Sequence, residues 1–295
     1  MTTLKYERKF SSANDAFLSL AKEIYTNPDF DVSPRGQQTK ENLGMAIEIT
    51  NPYARYVTNK HRNFSLAYAV GEWLWYERGS DSLEEIAYYS KFWNKVSDNG
   101  KTVNSAYGYR IFGKHPSIPV NQWSYIKDEL VRDPSSRRAI CIIASPIDME
   151  KETKDFPCTV YLQFFIRNSK LHLSANMRSN DLILGFANDV VAFTLLQEKM
   201  LVELREVVPE LEMGSYYHYA GSLHIYERNF PLVEKALAGP DENIEAMLPK
   251  MKNLKELEAL QKNEKIIRMK LDQPLMPLTD DFCIACQDLL VKYER

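Results

Sequence analysis

The sequence predicts a mixed α+β fold. Two kinds of pattern carry that prediction: runs with apolar residues at helical spacing, and runs of β-branched and aromatic residues bounded by turn residues. A third observation is size, since 295 residues with 44% hydrophobic and 26% charged content bury a core in one or two domains and exclude a disordered or collagen-like chain. In chain order, Phe17, Leu18, Leu20, Ala21, Ile24 and Tyr25 mark a helix, and the polar string SPRGQQTKEN after it reads as a loop. MAIEIT, 45–50, alternates like a strand. LAYAVGEWLWYER, 66–78, is apolar on most sides and fits a buried helix, so the charge of Glu72 inside it needs a reason. Residues 122–132 are helical, DPSSRR turns the chain, and AICIIAS is a short buried strand. CTVYLQFFIRNSKLHLSANM reads as two strands paired through a turn at 167–169. Residues 190–207 keep helical spacing for about five turns before Pro209, which predicts a central helix. Beyond Gly239 the chain is richer in Lys and Glu, which predicts a helical, solvated extension. The expected organisation is a main domain over 1–240 and a C-terminal extension over 241–295 packed on it.

Charge narrows the function. Lys+Arg of 37 against Asp+Glu of 40 gives a net charge of -3, which argues against gripping duplex nucleic acid and leaves small anions open. No apolar run approaches the roughly 20 residues of a membrane span, and MTTLKYERKF lacks the apolar region of a signal peptide. A soluble, cytoplasmic protein with no membrane partner is expected. Four cysteines, Cys141, Cys158, Cys283 and Cys286, are too few and too scattered for a disulfide framework. Cys283 and Cys286 form a CxxC without further ligands, so no metal is expected there. Cys158 follows a proline at the mouth of a strand, a setting in which partial exposure and nearby positive charge would make it a nucleophile.

Three strings follow Cys158 in order: NMRSND at 176–181, LGFAND at 184–189 and GSLHIYERNF at 221–230. Before it stand SPRG around Arg35, EWLW around Glu72, FW at Trp93, YGYR at Tyr107 and DPSSRR with Arg137 and Arg138. Each string alone is weak; as an ordered set over 35–230 they resemble the thymidylate synthase family. That family has a Pro-Cys nucleophile, an Arg-Ser-x-Asp loop, a Leu-Gly-x-x-x-Asn turn and a Gly-x-x-His-x-Tyr strand. The third motif departs here, because the fourth residue after Gly185 is Asp189. Together with Thr159 after the nucleophile, this is similar to the phage-type deoxycytidylate hydroxymethylase branch. An Asn amide matches the carbonyl and N3–H of uracil with one donor and one acceptor. Cytosine inverts that edge, and a carboxyl accepts from its amino group while sharing a proton with N3.

The resemblance implies a large twisted mixed sheet flanked by helices, dimerising through the sheet face, with 1–240 as the catalytic domain. It implies a one-carbon transfer from 5,10-methylenetetrahydrofolate to C5 of a pyrimidine nucleoside monophosphate. Cys158 would add to C6, and the exocyclic methylene formed at C5 would take hydride to become methyl or water to become hydroxymethyl. Glu72 would relay protons and order that water, and Tyr107 would assist proton movement. Arg35, Arg178 and Ser179 would bind phosphate, joined by Arg137 and Arg138 from the neighbouring subunit of a homodimer. His224 and Tyr226 would bond the sugar hydroxyl, Gln163 would contact nucleotide or water, and Trp93 and Asp181 would face the folate. Val96 stands where many relatives have Trp, which opens the pocket to water. The expected reaction is 5-hydroxymethylation of dCMP; CMP hydroxymethylation, thymidylate synthesis, dUMP hydroxymethylation and a non-catalytic nucleotide- or RNA-binding role stay open.

Overall fold

A computed structural model describes residues 8–150, 152–239 and 247–293. The chain begins with β1 (Lys9–Phe10), α1 (Ala13–Thr26), β2 (Phe30–Val32) and β3 (Thr39–Ile49). Helices α2 (Leu66–Glu77), α3 (Leu83–Ala87), α4 (Phe92–Val96), α5 (Tyr107–Ile111) and α6 (Gln122–Arg132) follow. Next come β4 (Ile140–Ile142), β5 (Thr159–Arg167), β6 (Lys170–Met177) and β7 (Asn180–Asp181). The remainder runs through α7 (Ala187–Leu204), β8 (Glu212–Tyr226), α8 (Phe230–Ala238), α9 (Leu257–Met269) and α10 (Asp281–Val291).

Alternation along the strands decides how the sheet packs. Leu162 and Phe164 of β5, Leu171, Leu173 and Ala175 of β6, and Tyr216 and Ala220 of β8 are buried on one face, over which α7 lies. The strands form one mixed sheet in the order β1-β3-β8-β6-β5-β4, with β2 on β3 and β7 on β8. Pairing is parallel between β6 and β8 and antiparallel between β3 and β8 and between β5 and β6. The β5–β6 hairpin closes through Asn168 and Ser169, both left-handed at φ 51° and 55°, the twist a two-residue turn requires. On the opposite face Ile142 and Tyr219 stay 48% and 42% exposed, and no helix among the described residues covers them.

Several expectations need correction. The loop read over SPRGQQTKEN ends early: its last residues are already strand, because β3 starts at Thr39 and pairs with the end of β8. Gly44, at φ 62°, breaks the alternation that would have revealed this. The central helix starts at Ala187, three residues before its predicted start, after a wide turn of π-helical type at Leu182–Phe186. The tail is not simply solvated. Glu264 of α9 is fully buried, paired with Arg78 and Arg268 and accepting from Tyr89, and Phe282 of α10 meets Trp73 edge-on at 5.6 Å. Cys283 and Cys286 are buried on α10. The domain boundary expected at 240/241 lies outside the described residues. Among those described, no helix is long and apolar enough to cross a membrane, and no cluster of His, Cys, Asp or Glu is placed to hold a metal.

Candidate active site

The ends of β5, β6 and β8 open into a cavity of about 1090 Å³ walled by α2, α4 and the turn before α7. That is at the upper end of small-molecule and cofactor sites, which run to about 1,000 Å³. Arg35, Glu72, Trp93, Tyr107, Cys158, Arg178, Ser179, Asp181, Asp189, His224 and Tyr226 all line it, far apart in sequence and brought together by the sheet.

Glu72 is the charge inside the apolar helix, and its position explains itself. Tyr68, Glu72 and Tyr76 recur every four residues on α2, so they form one stripe facing the cavity while Trp73 packs toward α10. Glu72 is 5% exposed, and burial pushes its carboxyl up to about 8. The Tyr68 hydroxyl donates to its Oε1 at 2.7 Å and opposes that rise, while Asp189 adds to it.

Asp189 sits in the first turn of α7, turned inward by the preceding π-type turn. Burial raises it to about 7 although the Asn180 amide donates to its Oδ2 at 2.7 Å. Gly185 makes this approach possible, since a Cβ there would come within 2.7 Å of Asn180 Nδ2. Burial thus holds both carboxyls of this cavity well above the ordinary carboxylate range.

Cys158 is partly buried at the start of β5. Arg178 Nη2 lies 3.7 Å from its Sγ, while the same guanidinium donates to the carbonyls of Pro157 and Phe156 at 3.0 and 2.9 Å. Burial raises the thiol, Arg178 and Arg35 pull it back, and Asp189 and Asp155 push it further up. Burial therefore outweighs the arginines, and the thiol is held above its ordinary range although Arg178 stands beside it. Accordingly, alkylation by iodoacetamide is expected to speed up steadily as pH rises past neutrality. In Arg178→Ala the rate at pH 7 should drop by roughly tenfold, one unit of pKa; an unchanged rate in a time course followed by intact mass would contradict this.

Tyr107 is buried, and its hydroxyl accepts the Thr159 backbone N–H at 3.3 Å, which fixes it beside the cysteine. His224 and Tyr226 both face the cavity, rings edge-on at 4.9 Å, and Asp181 pairs in register with His224. Burial lowers His224 while Asp181 pulls the other way. Arg35 takes a left-handed φ of 53°, a strained position for a non-glycine residue, at the cavity edge.

Three expected residues are elsewhere. Gln163 does not line the cavity: with Leu162 and Phe164 in the core, alternation puts it on the uncovered sheet face, where its amide donates to the Arg137 carbonyl at 2.9 Å. Arg137 and Arg138 are exposed in the loop before β4, near that face and outside their own chain's cavity. Sequence reasoning also missed Asn180, the unspecified position of the Arg-Ser-x-Asp string, and Tyr68 and Tyr76, visible only through their spacing from Glu72.

Fold and cavity bring a cysteine, an arginine and two buried carboxyls together in one pocket, the residue types of a cysteine-dependent group-transfer site. Comparison with known proteins then gives the family. Residues 15–270 match the thymidylate synthase family model. The chain is 34% identical over 205 residues to the deoxyuridylate hydroxymethyltransferase of Bacillus phage SP01, covering 66% of this chain and 52% of that protein's length. It is 32% identical over 213 residues to the deoxycytidylate 5-hydroxymethyltransferase of Enterobacteria phage T6, covering 70% and 83%. Thermostable thymidylate synthase A from Bacillus subtilis superposes with a TM-score of 0.66 at 22% identity, over 82% of this chain and 90% of that one, which shows a shared fold. The chain belongs to the thymidylate synthase family, and its chemistry is that family's one-carbon transfer to C5 of a pyrimidine nucleotide.

The family's one-carbon donor is 5,10-methylenetetrahydrofolate, and the cavity fits it. Trp93, Phe92, Val96 and Leu184 give an apolar wall, and Asp181 gives an acceptor. Arg62, 8% exposed, brings a buried Nε with no partner among the described residues, an orphaned donor suited to a ligand carbonyl or carboxylate.

Proposed function

We propose that this enzyme hydroxymethylates C5 of deoxycytidine monophosphate. Asp189 carries the reading. Similarity alone divides between relatives named for deoxyuridylate and for deoxycytidylate, and the chemistry of the base edge favours deoxycytidylate. With one oxygen held by Asn180 and a pKa near 7, the Asp189 carboxyl shares a proton with cytosine N3 and accepts from the amino group. Uracil O4 would face an oxygen that is itself an acceptor whenever the acid is ionised, an unpaired contact costing about 1–3 kcal/mol.

The residues then divide the work. Arg35, Arg178 and Ser179 hold the phosphate, and His224 and Tyr226 hold the sugar hydroxyl. Cys158 Sγ adds to C6, losing its proton as it attacks, which makes C5 nucleophilic. Trp93 and Asp181 would hold 5,10-methylenetetrahydrofolate, which would supply the one-carbon unit to C5 and depart as tetrahydrofolate. The C5 hydrogen leaves as a proton with Tyr107 assisting. Water adds to the exocyclic methylene of the pyrimidine while Glu72 takes the water's proton, and loss of the sulfur from C6 restores the ring. Val96 in place of a larger side chain leaves room for that water. The test is mass analysis of the products formed from dCMP and CMP with the folate. A hydroxymethylated dCMP product supports the reading, a methylated product refutes the water step, and preferred turnover of CMP moves the substrate to the ribonucleotide.

A homodimer through the uncovered sheet face, with Arg137 and Arg138 completing the partner's phosphate site, belongs to the same proposal. Mixing Cys158→Ser with the double variant Arg137→Ala, Arg138→Ala, each inactive alone, should then restore about a quarter of wild-type activity, because half the dimers are mixed and each carries one intact site. Absence of restoration after subunit exchange would place those arginines outside the partner's site.

A further inference from the structure

We propose that Tyr68 is a positioning residue for Glu72, the last link of a hydrogen-bonded string that runs from Trp93 through Tyr68 to the Glu72 carboxyl. The inference rests on the reading of Glu72 as the group that exchanges protons at the site. Trp93 Nε1 donates to the Tyr68 hydroxyl at 3.3 Å, and that hydroxyl lies 2.7 Å from Glu72 Oε1. An indole N–H only donates. It therefore occupies a lone pair of the Tyr68 oxygen, and the single hydroxyl proton is left to point at Glu72. The direction of the string is set by chemistry at its Trp93 end.

Two consequences follow for the carboxyl. Oε1 is held as an acceptor, so exchange with the cavity falls to Oε2. The donated proton also favours the ionised form, which offsets part of the burial that raises Glu72. The titratable groups facing Glu72 are Tyr68 and Tyr76 on its own helix and Asp189 on α7; Tyr107 on α5 faces Tyr76, and Cys158 faces Tyr107. Of these, the Tyr68 and Tyr76 hydroxyls lower Glu72 and Asp189 raises it. Tyr68 and Trp93 both line the cavity, so the string lies along its wall.

Tyr68→Phe removes the hydroxyl and keeps the ring. The Glu72 carboxyl band, assigned in infrared spectra by its loss in Glu72→Gln, is expected to titrate about one pH unit higher, as when one charge-assisted hydrogen bond is lost. The acidic limb of kcat/KM with dCMP should move up by the same amount. At neutral pH kcat should fall about tenfold, with both KM values within about twofold of wild type. Trp93→Phe, which frees the Tyr68 proton to rotate away, should shift the band in the same direction and by less. An unmoved band in both variants overturns the proposal, as does a moved band with an unmoved activity limb. A wild-type protein silent toward dCMP, CMP and dUMP overturns the functional reading instead, and is told apart because the infrared titration does not use turnover.

Discussion

Asp189→Asn is expected to exchange the base that the enzyme accepts. The substitution is isosteric, and the Asn180 amide still finds a carbonyl oxygen where it now donates to Oδ2 at 2.7 Å. What changes is the other atom, which becomes an amide donor facing the amino donor of cytosine, with N3 left unpaired. Two mismatched contacts at about 1–3 kcal/mol each predict that kcat/KM for dCMP falls by about a hundredfold to a thousandfold, while dUMP improves by a similar factor. Parallel kinetics with the two nucleotides check this. Loss of both activities together would mean that Asp189 holds the fold or moves a proton and does not read the base.

Glu72→Gln carries the second large effect. Removing a positioned proton-transfer group costs about 10²–10⁴ in rate, and a Gln amide cannot take the proton of the attacking water. The expected outcome is a loss near 10³ in product formation, with nucleotide affinity within a few-fold of wild type. Stability should move the opposite way. Glu72 is raised from an ordinary 4.5 to about 8 by burial, so its contribution is fully present below 4.5 and lost as pH rises to about 8. Glu72→Gln removes that group, and the decline in melting temperature between acid and mildly alkaline pH should be shallower than in wild type. A steeper decline, or normal turnover, would contradict the role.

Much of the fold was legible because burial writes itself into the sequence. The helix 122–132 and the β5–β6 hairpin matched their patterns, as their apolar periodicities are undisturbed. The strand β8 was only partly seen: Tyr216, His218 and Ala220 face the core, but tyrosines at 217 and 219 on the other face flatten the alternation. The buried polar residues of the tail were hidden for a related reason. Glu264 reads as a solvated charge until Arg78, remote in sequence, is brought against it. In the cavity, residues within motifs were readable, whereas Gln163 was not, since only strand parity reveals that it faces away. Tyr68 and Asn180 act through neighbours, and no single string announces such a contact.

The most direct measurement offers equal concentrations of 5-tritiated dCMP and dUMP, with 5,10-methylenetetrahydrofolate, and follows tritium release from each together with the oxidation state of the folate. The expected result is that dCMP is consumed in preference by about a hundredfold and that tetrahydrofolate is released without dihydrofolate. Preferred reaction of dUMP, or accumulation of dihydrofolate, would contradict it.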